Sequence, residues 1–253
     1  MSFSVETLKL IKMNITRSLK AVLLICLLVL GLSFFFVNKL PLKTEILKEL
    51  YTEPIQIETK DAPFTITRKG ITYTITPLFS YEMYGLVVSY HDSNSWIDIS
   101  HDGWKDYLNT KDISTIWGYD IETGSYLDMH FYHGDWTGYY KYSGQVDFRN
   151  NCFGNAHLLA NDEGIEKRIM NTRTGDQVYA KGYLVKYSHS NEKFVRSSSI
   201  VRDDTGNGAC EIIYVTDYKV LKSANQSWKL LRTISLYLGI ICIMALMYSF
   251  FYY

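Results

Sequence analysis

Proline and cysteine are scarce, each occurring four times in 253 residues. So few cysteines exclude a small scaffold held together by a disulfide framework. The paired Cys-x-x-Cys spacing of a zinc module is also missing. Neither sign of charge is in excess, with 26 Lys plus Arg against 26 Asp plus Glu. Without a basic stripe, nucleic acid is not an expected partner. No glycine-rich phosphate loop and no serine elbow occurs, which removes the commonest nucleotide and hydrolase signatures. Internal repeats, low-complexity tracts and coiled-coil heptads are absent too.

The chain does have two long apolar runs, one near each end. Residues 21–38 read AVLLICLLVLGLSFFFVN and residues 233–253 read TISLYLGIICIMALMYSFFYY, both without a charge. Each is long enough to cross a hydrocarbon core of about 30 Å as a helix. The first exceeds a signal-peptide core and lacks a small-residue cleavage site, so it is expected to be a retained anchor. The expected divisions are a basic tail over 1–20, a membrane helix over 21–38 and a stalk over 39–62. A β-rich domain over 63–222, a linker over 223–232 and a membrane helix over 233–253 follow. Lys9, Lys12, Arg17 and Lys20 precede the first helix and favour an N-terminus inside the cell. Lys219, Lys222, Lys229 and Arg232 precede the second helix and argue the other way. Because the first helix usually dominates, the expectation is a two-pass cell-membrane protein with a periplasmic or extracellular domain. Residues 39–228 hold 25 acidic and 20 basic side chains, a mildly acidic balance.

Between the runs the pattern is mostly that of short strands. In PFTITRKGITYTITP, Phe64 and Ile66, then Ile71, Tyr73 and Ile75, alternate with threonines around Gly70, a hairpin signal. YGLVVSY, ISTIWGY, LDMHFYH, WTGYYKY, QVYAKGYLVKY, FVRSSSIV and CEIIYVTDYKVL read as further strands. Helical spacing appears in KTEILKELY, in SHDGWKDYLN and in the capped stretch NDEGIEKRIMN. Gly182 inside a strand suggests a bulge or a corner. The expected fold is a β-dominated α+β soluble domain, a sandwich or small barrel, between two terminal transmembrane helices.

RDDTGNGACE, residues 202–211, holds the densest chemistry. Asp204-Thr205-Gly206 is the tripeptide of aspartic proteases, but Arg202 and Asp203 replace the apolar lead-in and no second copy exists. Asp203, Thr205 and Asn207 alternate as oxygen ligands for calcium would, yet Tyr214 stands where the loop needs its closing Glu. Turn chemistry accounts for the stretch best, since Gly206, Asn207 and Gly208 tolerate positive φ. Cys152 and Cys210, both in turn-rich contexts, are the expected disulfide, which would stabilise by about 4 kcal/mol and point to an oxidising compartment. If reduced, Cys152 and His157 are a conceivable nucleophile and base. His130 and His133 fall on opposite faces of a strand, which argues against a shared metal. Of 21 tyrosines, many lie in 117–144, where Trp117, Tyr119 and Trp136 mark a face suited to a glycan or a partner protein.

NAHLL (155–159), GDQV (175–178), KGYLV (181–185) and the run from Ser197-Ser198 through RDDTGNGACE occur in this order. Together they resemble segments of uncharacterised bacterial membrane-anchored proteins, over residues 80–220. The resemblance implies a bacterial cell membrane and brings no activity. The expected function is therefore binding, assembly or sensing by a membrane-presented domain, with another envelope protein or a glycan as partner. The alternative is a membrane-tethered hydrolase using Asp203, Asp204 or the histidines. No cofactor is expected apart from the calcium option.

Overall fold

The computed structural model describes residues 5–93, 95, 98–189, 194–206 and 208–251. The chain divides into two compact units: residues 1–39 with 225–253, and residues 40–224. The first unit is a pair of helices, α1 (Val5–Phe36) and α5 (Gln226–Phe251). Leu10–Phe36 and Gln226–Phe251 are long and apolar enough to cross a membrane. The basic stretch expected as a separate tail is thus the first part of α1. The two helices meet closely at Gly239, where an added Cβ would lie 3.8 Å from the Cβ of Cys26. Phe36 stacks on Trp228 with centroids 4.6 Å apart.

The second unit is built on one sheet. Its strands are β1 (Ile55–Glu58), β2 (Phe64–Arg68), β3 (Ile71–His91), β4 (Asn109–Ile116), β7 (Phe153–Leu159), β8 (Gln177–His189), β9 (Phe194–Ser197) and β10 (Glu211–Lys222). A separate hairpin joins β5 (Met129–His133) to β6 (Gly138–Tyr142). Three short helices complete the unit: α2 (Ile99–Gly103), α3 (Tyr119–Thr123) and α4 (Glu163–Asn171). The β-rich domain and its two flanking apolar helices are as expected. The supposed stalk helix is instead two 3-10 turns, Lys43–Glu45 and Lys48–Tyr51, with Leu50 wholly buried.

The pairing sequence β3–β4–β7–β10–β8 returns from β8 to β3, a ring of hydrogen-bonded strands. β3 makes this possible by its length: residues 73–86 pair with β8, and residues 86–91 pair with β4. The β2–β3 hairpin turns through Lys69 and Gly70, both at positive φ, as a two-residue turn requires. Gly182 sits where β8 passes β10, and an added Cβ would lie 1.9 Å from the Tyr214 carbonyl oxygen. The main core gathers Val87, Ile113, Leu158, Ala180, Leu184 and Ile213 from all five ring strands. Ile165 and Ile169 of α4 seal it. Asp162 caps α4 by accepting the Ile165 N–H at 2.8 Å. At the other end of α4, buried Lys111 donates to the carbonyls of Met170 and Thr172.

Candidate functional site

Sheet register assembles the site. Asp112 of β4 lies directly opposite His157 of β7. On the other side of β7, Ile212 of the parallel strand β10 lies opposite His157. Side chains two apart share a face, so Cys210, two residues before Ile212, is the diagonal neighbour of His157 on that same face. A carboxylate, an imidazole and a thiol are thereby lined up across three strands.

The contacts bear this out. His157 Nδ1 is 2.7 Å from Asp112 Oδ1, and both side chains are fully buried. Cys210 lies near enough to the His157 ring to favour its protonated form, while its thiol points at the Trp136 carbonyl oxygen 3.9 Å away. Burial opposes a charged ring, but Asp112 and Cys210 outweigh it and push His157 up to about 9. Burial also works against a charged Asp112, yet His157, His101 and the amide of Asn109 hold its carboxyl down at about 2. Arg196 of β9 places Nη2 2.7 Å from His157 Nε2. A guanidinium has no acceptor, so that contact belongs to the neutral ring, with its proton on Nδ1 beside Asp112; below about pH 9 Nε2 takes a proton as well. Only the neutral ring can act as a general base.

Around the thiol the polar groups are fixed. Asn155 Nδ2 donates to Cys210 Sγ at 3.1 Å and to the Trp136 carbonyl at 3.2 Å. Its Oδ1 accepts the Gly138 N–H at 3.1 Å and lies 2.8 Å from His133 Nε2, which sets the orientation of the amide. Arg196 also reaches Asp106 at 3.3 Å, and Tyr187 donates to the same carboxylate at 2.8 Å. The Trp136 ring lies 3.9 Å from the His101 ring by centroids, and the Arg196 guanidinium lies over the same Trp136 ring, 4.9 Å from its centroid. A cavity of about 490 Å³ opens here, walled by Trp104, Trp136, Phe194 and Arg196, with His157 and Cys210 in its lining.

Behind Asp112 the network continues. Asn109 Nδ2 donates to Asp112 at 2.8 Å and sits 3.1 Å from His101 Nε2. His101 Nδ1 and His91 Nε2 both contact Asp98 Oδ2, at 2.7 and 2.6 Å. Among the described residues, His91, Asp98 and His101 are the set with ligand atoms close enough for a metal ion. Asp98 is shared by both rings and also caps α2 through the His101 N–H, which gives the set a structural task.

The sequence candidates fare differently. Cys152 and Cys210 are both free thiols, so the expected disulfide is corrected. Extending the parallel β7–β10 register sets Cys210 beside Asn155, three positions from Cys152 and thus about 10 Å away along the strand, beyond bridging distance. Nor does Cys152 partner His157: its buried thiol lies near Gly118 and Asn151, and burial pushes its pKa up. The thiol beside His157 is Cys210. Asp204 accepts from Ser199 Oγ at 2.5 Å and lines a cavity shared with Cys210. Asp203 and Thr205 are exposed, while Asn207 lies outside the described residues. Trp117 is a core residue whose ring covers Gly154, not part of a binding face. Tyr119 bonds Asp147 at 2.5 Å under the Arg149 guanidinium. Trp136 does reach the cavity. Asp112 was missed because the polar run Asn109–Asp112 carries no strand periodicity although β4 is buried throughout, whereas the roles of Arg196 and Asn155 depend on partners from other strands. Compared with family models, with curated proteins and with solved structures, the chain matches none.

Proposed function

We propose that this two-pass membrane protein carries a thiol-dependent acyl-transfer centre, with Cys210 as nucleophile, His157 as base and Asp112 as the group that orients the base. The observation that carries this reading is the Asp112–His157–Cys210 alignment at the wall of an aromatic cavity. A thiol becomes a strong nucleophile when an adjacent base takes its proton, and the base works when a third group fixes its tautomer. Nε2 has one lone pair, so Arg196 must turn from it towards Asp106 and the cavity for the ring to take the Cys210 proton. There its charge meets the oxyanion that forms on the attacked carbonyl. Asn155, already donating to the sulfur, stabilises the thiolate.

The ring of strand pairings reads as a small barrel that holds the three residues in place. The basic residues in the first part of α1 favour a domain on the outer side of the membrane. The alternative of a binding or sensing domain for a glycan or an envelope protein draws on the same cavity, whose Trp104 and Phe194 suit a stacking ligand.

The test uses the full-length protein in detergent with p-nitrophenyl acetate. A burst of p-nitrophenolate and an acetyl group on Cys210, found by peptide mass spectrometry, are expected. Acetylation of Cys152 at the same rate, or a Cys210 rate unchanged in Asp112→Asn, would sink the triad.

A further inference from the structure

The register that sets Asp112 opposite His157 also sets His91 of β3 opposite Asp112 on its other side. His91 therefore belongs to the same polar row, one strand further along. His101 of α2 lies against this row, its ring stacked on that of His91 with centroids 5.8 Å apart. His91 Nε2 and His101 Nδ1 converge on one atom, Asp98 Oδ2. We propose that His91, Asp98 and His101 bind a divalent transition-metal ion of the zinc class, with its fourth position open to a cavity beside α2. The site is separate from Cys210 and stands whether or not that thiol is a nucleophile.

Two imidazoles and one carboxylate oxygen are a zinc-type donor set, and three protein ligands leave a fourth position open. The three ligand atoms lie within 4.8 Å of one another. An ion about 2.0–2.1 Å from each ligand sets them about 3.3 Å apart, so shifts on the order of 1 Å complete the site. His91 has room for such a shift, because its side chain is 24% exposed. Asp98 is held in place: its Oδ1 accepts the His101 N–H at 2.9 Å, which leaves Oδ2 for the ion. His133, stacked on His91, is not the fourth ligand, since its nitrogens face the Gly134 carbonyl and Asn155 Oδ1.

The oxygens around the set point the same way. Asp112 is wholly buried, and its Oδ2 has no hydrogen-bond partner among the described residues. That oxygen lies 3.8 Å from His101 Nε2. An ion on Nδ1 leaves the ring proton on Nε2, where it faces Asp112 Oδ2, and the Asn109 N–H now beside Nε2 turns aside. A carboxylate on the far nitrogen of a metal-bound histidine fixes its tautomer and ring orientation. The cavity, of about 380 Å³, has Asp98 and His101 in its wall together with Ser93, Asp106 and Tyr107. Ser93 Oγ is buried without a partner among the described residues, and a water on the ion would supply one.

The experiment titrates the full-length protein in detergent, first treated with a chelator, with Co²⁺ as the probe. The expected result is visible d–d absorption that saturates at one equivalent and is displaced by Zn²⁺. His91→Ala should weaken Co²⁺ binding at least about 100-fold, and Asp112→Asn about 10-fold, as loss of a ligand and of its supporting carboxylate do. Cys210→Ser should leave the titration unchanged. Absence of saturable binding overturns the site. So does a sulfur-to-cobalt charge-transfer band that disappears in Cys210→Ser, which would put the ion on the thiol. Should His91→Ala fail to fold, labelling of the unaltered protein with diethyl pyrocarbonate decides the question. Zn²⁺ should protect His91 and leave the exposed His130 labelled as before, whereas equal labelling of His91 with and without the ion overturns the site.

Discussion

Asp112 illustrates how much rests on one side chain. It is fully buried, and its charge is kept by His157, His101 and Asn109. Asp112→Asn keeps the shape but removes the charge that holds the His157 proton on Nδ1. Acylation of Cys210 by p-nitrophenyl acetate should fall by about 100-fold or more, measured by the burst rate, with the unfolding temperature as the check on structure. Glu211 makes a prediction of a different kind. Its ordinary value of 4.5 rises to about 7 in the folded chain. The folded form therefore keeps a proton that the unfolded form gives up between those values. The stability this contributes is full below pH 4.5 and is lost as pH rises to about 7, roughly 3 kcal/mol in all. Thermal unfolding between pH 5 and pH 7, at about unit steps, should show a fall in the unaltered protein and a flatter profile in Glu211→Gln.

At the scale of elements, the site depends on register and on close strand passage. Because side chains alternate, a one-residue slip of β4 against β7 would turn Asp112 away from His157. Gly182 secures the adjoining β8–β10 passage. In Gly182→Ala, the new Cβ would meet the Tyr214 carbonyl oxygen at 1.9 Å, which only a backbone shift relieves. A loss of about 3 kcal/mol or more is expected by denaturant titration, with Cys210 reactivity falling alongside. Asp162→Ala removes the cap of α4 but touches no site residue, and should cost about 1 kcal/mol with Cys210 acylation unchanged. Comparing the two separates general destabilisation from damage to the site.

For the whole molecule, a chain whose two long apolar helices both cross would have its two ends on one side of the membrane. Reporter fusions at the N- and C-termini should agree with each other, and a tag in the exposed β2–β3 turn should report the opposite side. Disagreement between the two ends would mean that one apolar helix does not cross. The thiols say little about the compartment, since strand geometry keeps Cys152 and Cys210 apart whatever the redox potential.

Local chemistry was readable along the chain. Uncharged apolar runs made α1 and α5 legible, alternation around Lys69-Gly70 made the β2–β3 hairpin legible, and Asp162 with Ile165 and Ile169 made α4 legible. Each signal lies within a few residues and follows from burial or turn geometry. The site was not readable in this way. His157 drew notice but was assigned the wrong cysteine, and Asp112 and Arg196 drew none. Their meeting depends on which strands pair and in which register, through contacts far apart in sequence. Buried Lys111 and Asp112 look like surface residues until the partners that balance their charge are brought beside them. The amino-acid sequence determined two apolar helices long enough to cross a membrane and the β-rich character of the domain. Only the tertiary structure decided that Cys210, a mid-chain histidine and an aspartate from a polar run share one face.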